Sequence, residues 1–183
     1  MFELPAEANI VIDVPIQTVY AYICDFQKHG EWNNQPSTII KITDGPVGIG
    51  SVFRTEEQLP RQANDLQMFW ERFAPILAAA EGEAGTAAVV TRAEITDMQL
   101  NRRLAWTAWL STKDAPPLRA DWEIILEEEG TSTKLIQRYI WKPQNKAMEE
   151  LFMDYSEDFL NMSIYETSNN LVGLKALLEG TAA

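Results

Sequence analysis

The sequence is poor in the residues that carry most metal, redox and nucleophilic chemistry. Its 183 residues include a single cysteine, Cys24, and a single histidine, His29. One cysteine cannot form an internal disulfide, and it suits a reducing compartment. Zinc sites and Cys-His catalytic pairs draw on these same residue types. We therefore expect no metal site, an inert Cys24 packed on the first helix, and an exposed His29 in a polar loop.

Long apolar runs and an excess of positive charge are also missing. No stretch approaches the ~18 apolar residues of a membrane span, and the first residues lack both the basic end and the apolar segment of a signal peptide. The formal net charge is −12, which repels nucleic-acid phosphates and anionic lipid headgroups. We therefore expect a cytoplasmic protein with no membrane span and no nucleic-acid partner.

Nucleotide-binding and hydrolase motifs are absent from the sequence as well. It contains no GxGxxG, P-loop or GxSxG pattern, so we predict no cofactor and no serine-hydrolase chemistry. Acidic residues do gather near the start of the last predicted helix, but their spacing follows a solvated helix face better than a metal cluster. They are Glu149, Glu150, Asp154, Glu157 and Asp158.

What the chain does have is enough apolar residues for a folded core. Hydrophobic residues make up 46% of it, as in globular proteins. Its length suits one domain, and no internal repeat, low-complexity tract or linker divides it. We therefore predict a single domain over residues 1–183.

The last part of the chain, from Asn145 to Glu179, contains no proline and is predicted to be one long helix. Asn145 suits its N-cap and Gly180 its stop. At 1.5 Å per residue such a helix is roughly 50 Å long. Its apolar residues are too many for one narrow stripe, so it must pack against a large or curved partner. They fall on two adjacent lines: Phe152, Tyr155, Phe159 and Met162, then Leu160, Ile164, Leu171, Leu174 and Leu178.

The segments before that helix are predicted to be mostly strands. After a first strand at 6–14, Pro15 suits the first turn of a helix that runs to about Cys24, and a short helix or turn continues from His29 to Trp32. Alternation of apolar and polar residues then predicts an antiparallel sheet with one dry and one wet face. Its further strands are predicted at 37–43, 51–59, 87–98, 102–112, 118–127 and 133–141.

Residues 60–86 interrupt the strand pattern and are predicted to be a helical insertion. Pro75 should kink this amphipathic helix. Its apolar side could cover the mouth of a cavity as a lid, pack into the core, or contact a second copy in a homodimer. The lid residues would be Phe69, Trp70 and Phe73.

The dry face of the sheet is predicted to line a cavity. Trp122 alternates with Asp121 and Glu123, so it should face inward, and parity places Trp141 on the same side. Mostly apolar walls with a few polar groups are typical of a small-molecule site. The alternative is that these large side chains fill a solid core. The predicted ligand-lining residues are Phe53, Thr91, Trp106, Ala108, Trp122, Ile124, Gln137, Tyr139, Phe159 and Met162.

The order of these elements, with several short motifs, resembles the START and birch-pollen-allergen-like (SRPBCC) superfamily, and most of all its polyketide cyclase/dehydrase branch. The resemblance covers nearly the whole chain except 60–86. Each motif is structural, so their order carries the argument. They are Val14-Pro15 leading into Val19-Tyr20, Asp25-Phe26 followed by Glu31-Trp32-Asn33, Val47-Gly48-Ile49-Gly50-Ser51, and Gly173-Leu174-Lys175-Ala176-Leu177-Leu178-Glu179.

The resemblance implies an α+β helix-grip fold, in which a curved antiparallel sheet wraps around a long C-terminal helix. It also implies a small hydrophobic ligand, lipid- or polyketide-like, between sheet and helix. Two other functions stay open. The chain could be a cyclase or dehydratase of a polyketide-like substrate with Tyr139 as acid or base, or a co-chaperone-like interaction module that uses Phe69 and Trp70.

Overall fold

The computed structural model describes residues 2–33, 37–58, 88–110 and 118–180. Within these residues, seven strands form one antiparallel sheet in the order β1-β7-β6-β5-β4-β3-β2. The predicted insertion at 60–86, with Phe69, Trp70 and Phe73, lies outside the described residues. The strands are β1 (Leu4–Ile12), β2 (Ser37–Lys41), β3 (Val52–Gln58), β4 (Ala88–Gln99), β5 (Arg103–Leu110), β6 (Leu118–Glu129) and β7 (Ser132–Pro143).

Two short helices follow β1, as predicted, and a long helix lies near the end of the chain. They are α1 (Ile16–Cys24), a 3-10 turn (Phe26–Lys28), α2 (His29–Trp32), α3 (Lys146–Asp154) and α4 (Ser156–Leu178). The side chain of Asn145 accepts a hydrogen bond of 2.9 Å from the backbone N–H of Met148, so the predicted cap is confirmed. None of the described helices combines the length and apolar character needed to cross a bilayer.

The prediction of one unbroken helix from Asn145 to Glu179 is wrong. Tyr155, with φ −124° and ψ 23°, separates α3 from α4. The break lets α3 pack against Leu4 and Leu118 at one end of the sheet. Since neither proline nor glycine marks this position, the sequence contains no local signal for it.

The core consists of two hydrophobic clusters, and α4 contributes to both. The larger cluster includes Leu171 and Leu174 of α4, and the smaller one includes Phe159. Between them, on the same buried side of the helix, lie Ser163 and Thr167. The helix therefore presents a polar segment to the sheet between two apolar ends.

Close contacts with β1 and α2 hold α4 in place. β1 is the strand whose backbone approaches the helix most closely, where the small side chains of Ala6 and Ala8 are buried. At Gly173 an added Cβ would lie 3.0 Å from the carbonyl oxygen of Trp32, so only glycine lets α2 pack this tightly. Lys175 Nζ also donates to the carbonyl oxygen of Val11 at 2.6 Å. These contacts fix the distance between α4 and the sheet.

Candidate ligand-binding site

Three alanines lie side by side on the face of the sheet that is turned toward α4, which we call the inner face. Ala108 pairs directly with Ala93 of β4 and with Ala120 of β6. At the two ends of this row, Phe53 pairs with Ala93, and Trp141 pairs with Ala120. The three methyl groups, the alanine floor, form a shallow step between larger side chains.

A row of stacked aromatic rings borders the alanine floor. The rings of Trp106 and Trp122 are nearly parallel, with centroids 5.8 Å apart, and Trp122 stacks on Tyr139 at 4.3 Å. Trp141 meets Trp122 and Tyr139 edge to face, at 5.8 Å from each. Trp122 and Ala108 are only half-buried although both face α4. Trp122 and Ala108 therefore keep part of their surface accessible.

Opposite these rings, the polar segment of α4 binds the hydroxyl group of Tyr139. Thr167 Oγ1 lies 2.8 Å from the carbonyl oxygen of Ser163 and 3.3 Å from the Tyr139 hydroxyl. A carbonyl only accepts, so Thr167 donates its one hydrogen to Ser163, and Tyr139 donates to Thr167. Burial raises the pKa of Tyr139 and outweighs the opposite effect of its hydrogen bonds with Thr167 and Ser163. The Tyr139 hydroxyl is therefore protonated at neutral pH, and its role as acid or base stays a prediction.

Three buried polar atoms in the described part of the chain have no hydrogen-bond partner. They are Trp32 Nε1, Gln137 Oε1 and Trp141 Nε1. Gln137 and Trp141 are both on β7, on either side of Tyr139, and all three side chains of this strand face α4. An unpartnered buried polar group costs about 1–3 kcal/mol, so such groups in a native structure need an explanation.

The prediction that His29 is exposed is wrong. Its side chain is 5% exposed, and Nε2 donates a 2.7 Å hydrogen bond to the carbonyl oxygen of Ile23. The imidazole stacks on Phe26 with centroids 4.4 Å apart and meets Trp106 edge to face at 5.6 Å. Burial lowers its pKa to about 4 against the opposing effects of Ile23 and Asp25. His29 is thus a neutral part of the core.

The remaining predicted lining residues occupy different surroundings. Phe53 and Ile124 are fully buried in the larger hydrophobic cluster, whereas Phe159 and Met162 pack in the smaller one beside α3. Thr91 is half-buried on the inner face and pairs with Thr55. The structure therefore places Trp106, Trp122 and Tyr139 beside the alanine floor, of which Ala108 is part, and Gln137 beyond Tyr139 along β7. The contact of any of these residues with a ligand stays a prediction.

Sequence reasoning missed Ser163 and Thr167, although their spacing contains a signal. Phe159, Ser163, Thr167 and Leu171 recur every four residues, which places them on one side of a helix. Two hydroxyl residues inside an apolar stripe indicate a polar segment that faces the core. The unpartnered ring N–H of Trp32, in the larger hydrophobic cluster, was not predicted either.

The remaining titratable groups offer no metal site or activated thiol. No cluster of three or more His, Cys, Asp or Glu side chains able to hold a metal ion occurs among residues 2–33, 37–58, 88–110 and 118–180. Burial raises the pKa of the half-buried Cys24 thiol, although a hydrogen bond with Tyr20 acts in the opposite direction. A raised pKa disfavours the thiolate, which is the nucleophilic form.

The opposite, outer face of the sheet carries a groove of about 680 Å³ with charged walls. Its arginines are paired: Arg103 contacts Asp97 and Glu123, and Arg119 contacts Asp121. Burial alone would raise the pKa of Asp121, but hydrogen bonds from Lys142, Thr107 and Arg119 lower it. These paired charges distinguish the groove from the inner face.

Comparison with known proteins defines the fold of this chain. No family model and no curated protein sequence matches it. Among solved structures, the Zhui aromatase/cyclase from Streptomyces sp. R1128 has a TM-score of 0.65 at 10% identity, over 97% of this chain and 94% of that one.

Two further structures show the same architecture. A protein from Thermus thermophilus has a TM-score of 0.61 at 12% identity, over 98% of this chain and 99% of that one. Ara h 8.0201 has a TM-score of 0.57 at 12% identity, over 98% and 99%. The chain therefore has a helix-grip fold like that of these structures, which confirms the predicted fold class.

Proposed function

We propose that this chain binds a small apolar or aromatic molecule between the inner face of the sheet and α4. The observation that carries the proposal is the alanine floor beside the half-exposed Trp122. A flat ligand can lie on the three methyl groups and stack against the row of aromatic rings. Its affinity would come from burial of apolar surface, at about 25 cal/mol per Å².

Packing on the inner face supports a ligand site over a solid core. Cores are filled to high density, and large side chains usually oppose small ones. Here three alanine side chains from adjacent strands lie next to each other on the inner face, and Ala108 stays half-buried. Tyr139 borders this area and Gln137 lies two residues before it on β7; these two residues would orient the ligand.

A comparison of two tryptophans on opposite faces of the sheet tests the proposal. Trp122 lines the site, whereas Trp109, three residues beyond Trp106 on β5, belongs to the outer face by strand parity. We expect Trp122→Ala to weaken binding of the apolar fluorophore N-phenyl-1-naphthylamine about tenfold or more, because the stacking surface is lost. Trp109→Ala and Thr91→Ala should change the dissociation constant less than threefold. Equal effects of all three substitutions would contradict the site.

A substitution on the alanine floor gives an independent test. Ala108→Phe places a ring in the space assigned to the ligand, so it should abolish fluorophore binding. Because Ala108 is half-buried, the new ring should fit with a change in unfolding free energy of about 1 kcal/mol or less. Retained binding in a folded Ala108→Phe variant would show that the ligand lies elsewhere.

A cyclase or dehydratase that acts in the same site is the second candidate. It is favoured by the likeness to an aromatase/cyclase and by the Tyr139 hydroxyl, which is held by Thr167 and kept protonated by burial. Tyr139 would turn its O–H from Thr167 to the hydroxyl group that the substrate loses and protonate it, so that the C–O bond breaks and water leaves. The phenolate would then take up the proton from the neighbouring carbon. Tyr139→Phe should then abolish loss of water from a polyketide-like poly-β-ketone, measured by mass spectrometry, while binding is retained. Full turnover by the variant would remove this function.

A further inference from the structure

Strand β7 carries two unpartnered polar atoms on the inner face, Gln137 Oε1 and Trp141 Nε1. Gln137 is 4% exposed and its Oε1 is enclosed, so water does not take the place of a protein partner at that atom. Such atoms lower the stability of the folded chain. A ligand that pairs with them would remove this penalty when it binds.

The surroundings of these atoms explain why the protein itself leaves them unpaired. Gln137 lies between Ala8 of β1 and Ile124 of β6, and Trp141 lies between Leu4 and Ala120. None of these four side chains has a polar atom. Elsewhere in the described core, buried polar groups do find partners: Thr133 donates to the carbonyl oxygen of Val14 at 2.7 Å.

The two atoms require different hydrogen-bonding groups of a ligand, at two separate positions. An indole Nε1–H only donates a hydrogen bond, and an amide oxygen only accepts one. Gln137 and Trp141 are four residues apart on one strand, so their Cα atoms are separated by roughly 13 Å. The Tyr139 ring lies between them, stacked on Trp122.

We infer that the ligand is an elongated aromatic molecule with an oxygen function at each end. This inference rests on the proposed function, because it assigns the chemistry of the ligand in that site. One end accepts a hydrogen bond from Trp141 Nε1, the other end donates an O–H to Gln137 Oε1, and the apolar body lies against Tyr139 and Trp122. A pure hydrocarbon satisfies neither atom, and a molecule with one polar head satisfies a single one.

Three probes of the same shape separate these possibilities: biphenyl, 4-hydroxybiphenyl and 4,4′-dihydroxybiphenyl. Each hydroxyl both donates and accepts, so the diol can serve both ends. We expect dissociation constants to fall along this series, measured by isothermal titration calorimetry or by tryptophan fluorescence. Each added hydroxyl should tighten binding about fivefold.

Gln137→Met removes one unpartnered atom with little change in side-chain volume. We expect it to weaken binding of the diol about fivefold, to leave biphenyl within twofold, and to raise the melting temperature of the free protein. Trp141→Phe should lower the ratio of diol to biphenyl affinity in the same way. Thr133→Val is the matched control. It removes a buried hydroxyl that has a partner, so it should lower the melting temperature and leave the affinity ratio unchanged.

The outcomes distinguish this inference from the proposed function. If the three probes bind the wild-type protein equally well, or if Gln137→Met weakens all of them alike, the assignment of two polar ends is wrong while an apolar site remains. If none of the probes binds, the proposed function fails and the inference fails with it. Gln137→Met decides the question alone should Trp141→Phe not fold.

Discussion

The inner and outer faces of the same strands differ in whether their polar groups have partners. On the outer face, Arg103, Arg119 and Arg138 each contact at least one carboxylate. On the inner face, Gln137 and Trp141 each keep a buried polar atom without a partner. These three outer arginines are thus paired with carboxylates, whereas two buried polar atoms of the inner face have no partner.

This difference between the faces is better evidence for the position of a ligand site than the size of a cavity is. The outer groove has about 680 Å³ and many charged side chains, yet those charges neutralise one another. The inner face has few polar atoms, but a ligand could supply the hydrogen bonds that two of them lack. Buried polar groups without a hydrogen-bond partner lower the stability of the fold. We therefore expect a fold to retain them where a bound ligand supplies the missing hydrogen bonds.

The largest contrast between the faces should come from two adjacent residues of β3. Phe53 is fully buried and contacts the Phe26 ring at 4.6 Å, whereas Arg54 faces outward and pairs with Glu56. We expect Phe53→Ala to lower the free energy of unfolding by about 3–5 kcal/mol. Arg54→Ala should lower it by less than about 1 kcal/mol. Urea denaturation measures both, and similar losses would contradict the separation of core and surface.

Measuring stability as a function of pH tests the contrast between core and surface at the single histidine, His29. The pKa of His29 is about 4 in the folded protein and near 6.5 in an unfolded chain. Below pH 6.5 the unfolded state therefore binds a proton that the folded state excludes, so stability falls as the pH falls toward 4. Between pH 7 and pH 5 we expect a loss of about 2 kcal/mol.

His29→Phe is the control for this titration, because it removes the group without adding another that titrates there. Asp121 on the outer face has a lowered pKa, so its contribution is lost only below the ordinary Asp range near 4. The variant should therefore show a much flatter stability profile between pH 7 and pH 5. An unchanged slope would mean that His29 is accessible to water.

The smallest expected difference in stability is between substitutions of two threonines, one on each side of the sheet, whose hydroxyl groups bond another side chain. Thr167→Val removes one of the two hydroxyl groups that bond the buried Tyr139 hydroxyl, the other being that of Ser163, which should cost about 1 kcal/mol. Thr107 donates to Asp121 at 2.8 Å in a half-exposed position, where water can replace it. Thr107→Val should cost about 0.5 kcal/mol or less. Melting temperatures measure the difference, and equal shifts would show that Tyr139 finds another partner.

Much of the sheet could be predicted because strand alternation is a local property. The charges of Asp121 and Glu123 on both sides of Trp122 leave one acceptable orientation, and the same reasoning places Tyr139 and Gln137 on the inner face. The prediction for His29 failed because its polar neighbours Lys28 and Gly30 indicate a loop. The 3-10 turn and α2 instead direct the imidazole onto Phe26 and Trp106.

The sequence alone determined the order of strands and helices and the side of the sheet on which Trp122 and Tyr139 lie, since these follow from periodicity and from turn residues. The helix-grip architecture was implied by the resemblance that this order carries. Only the tertiary structure decided that α3 and α4 separate at Tyr155, that Thr167 accepts the Tyr139 hydrogen bond, and that Gln137 and Trp141 receive none. The reason is physical. The hydrogen-bond partner of a buried polar atom is often a group far away in the chain. No local pattern of residues indicates whether such a partner comes close enough to bond.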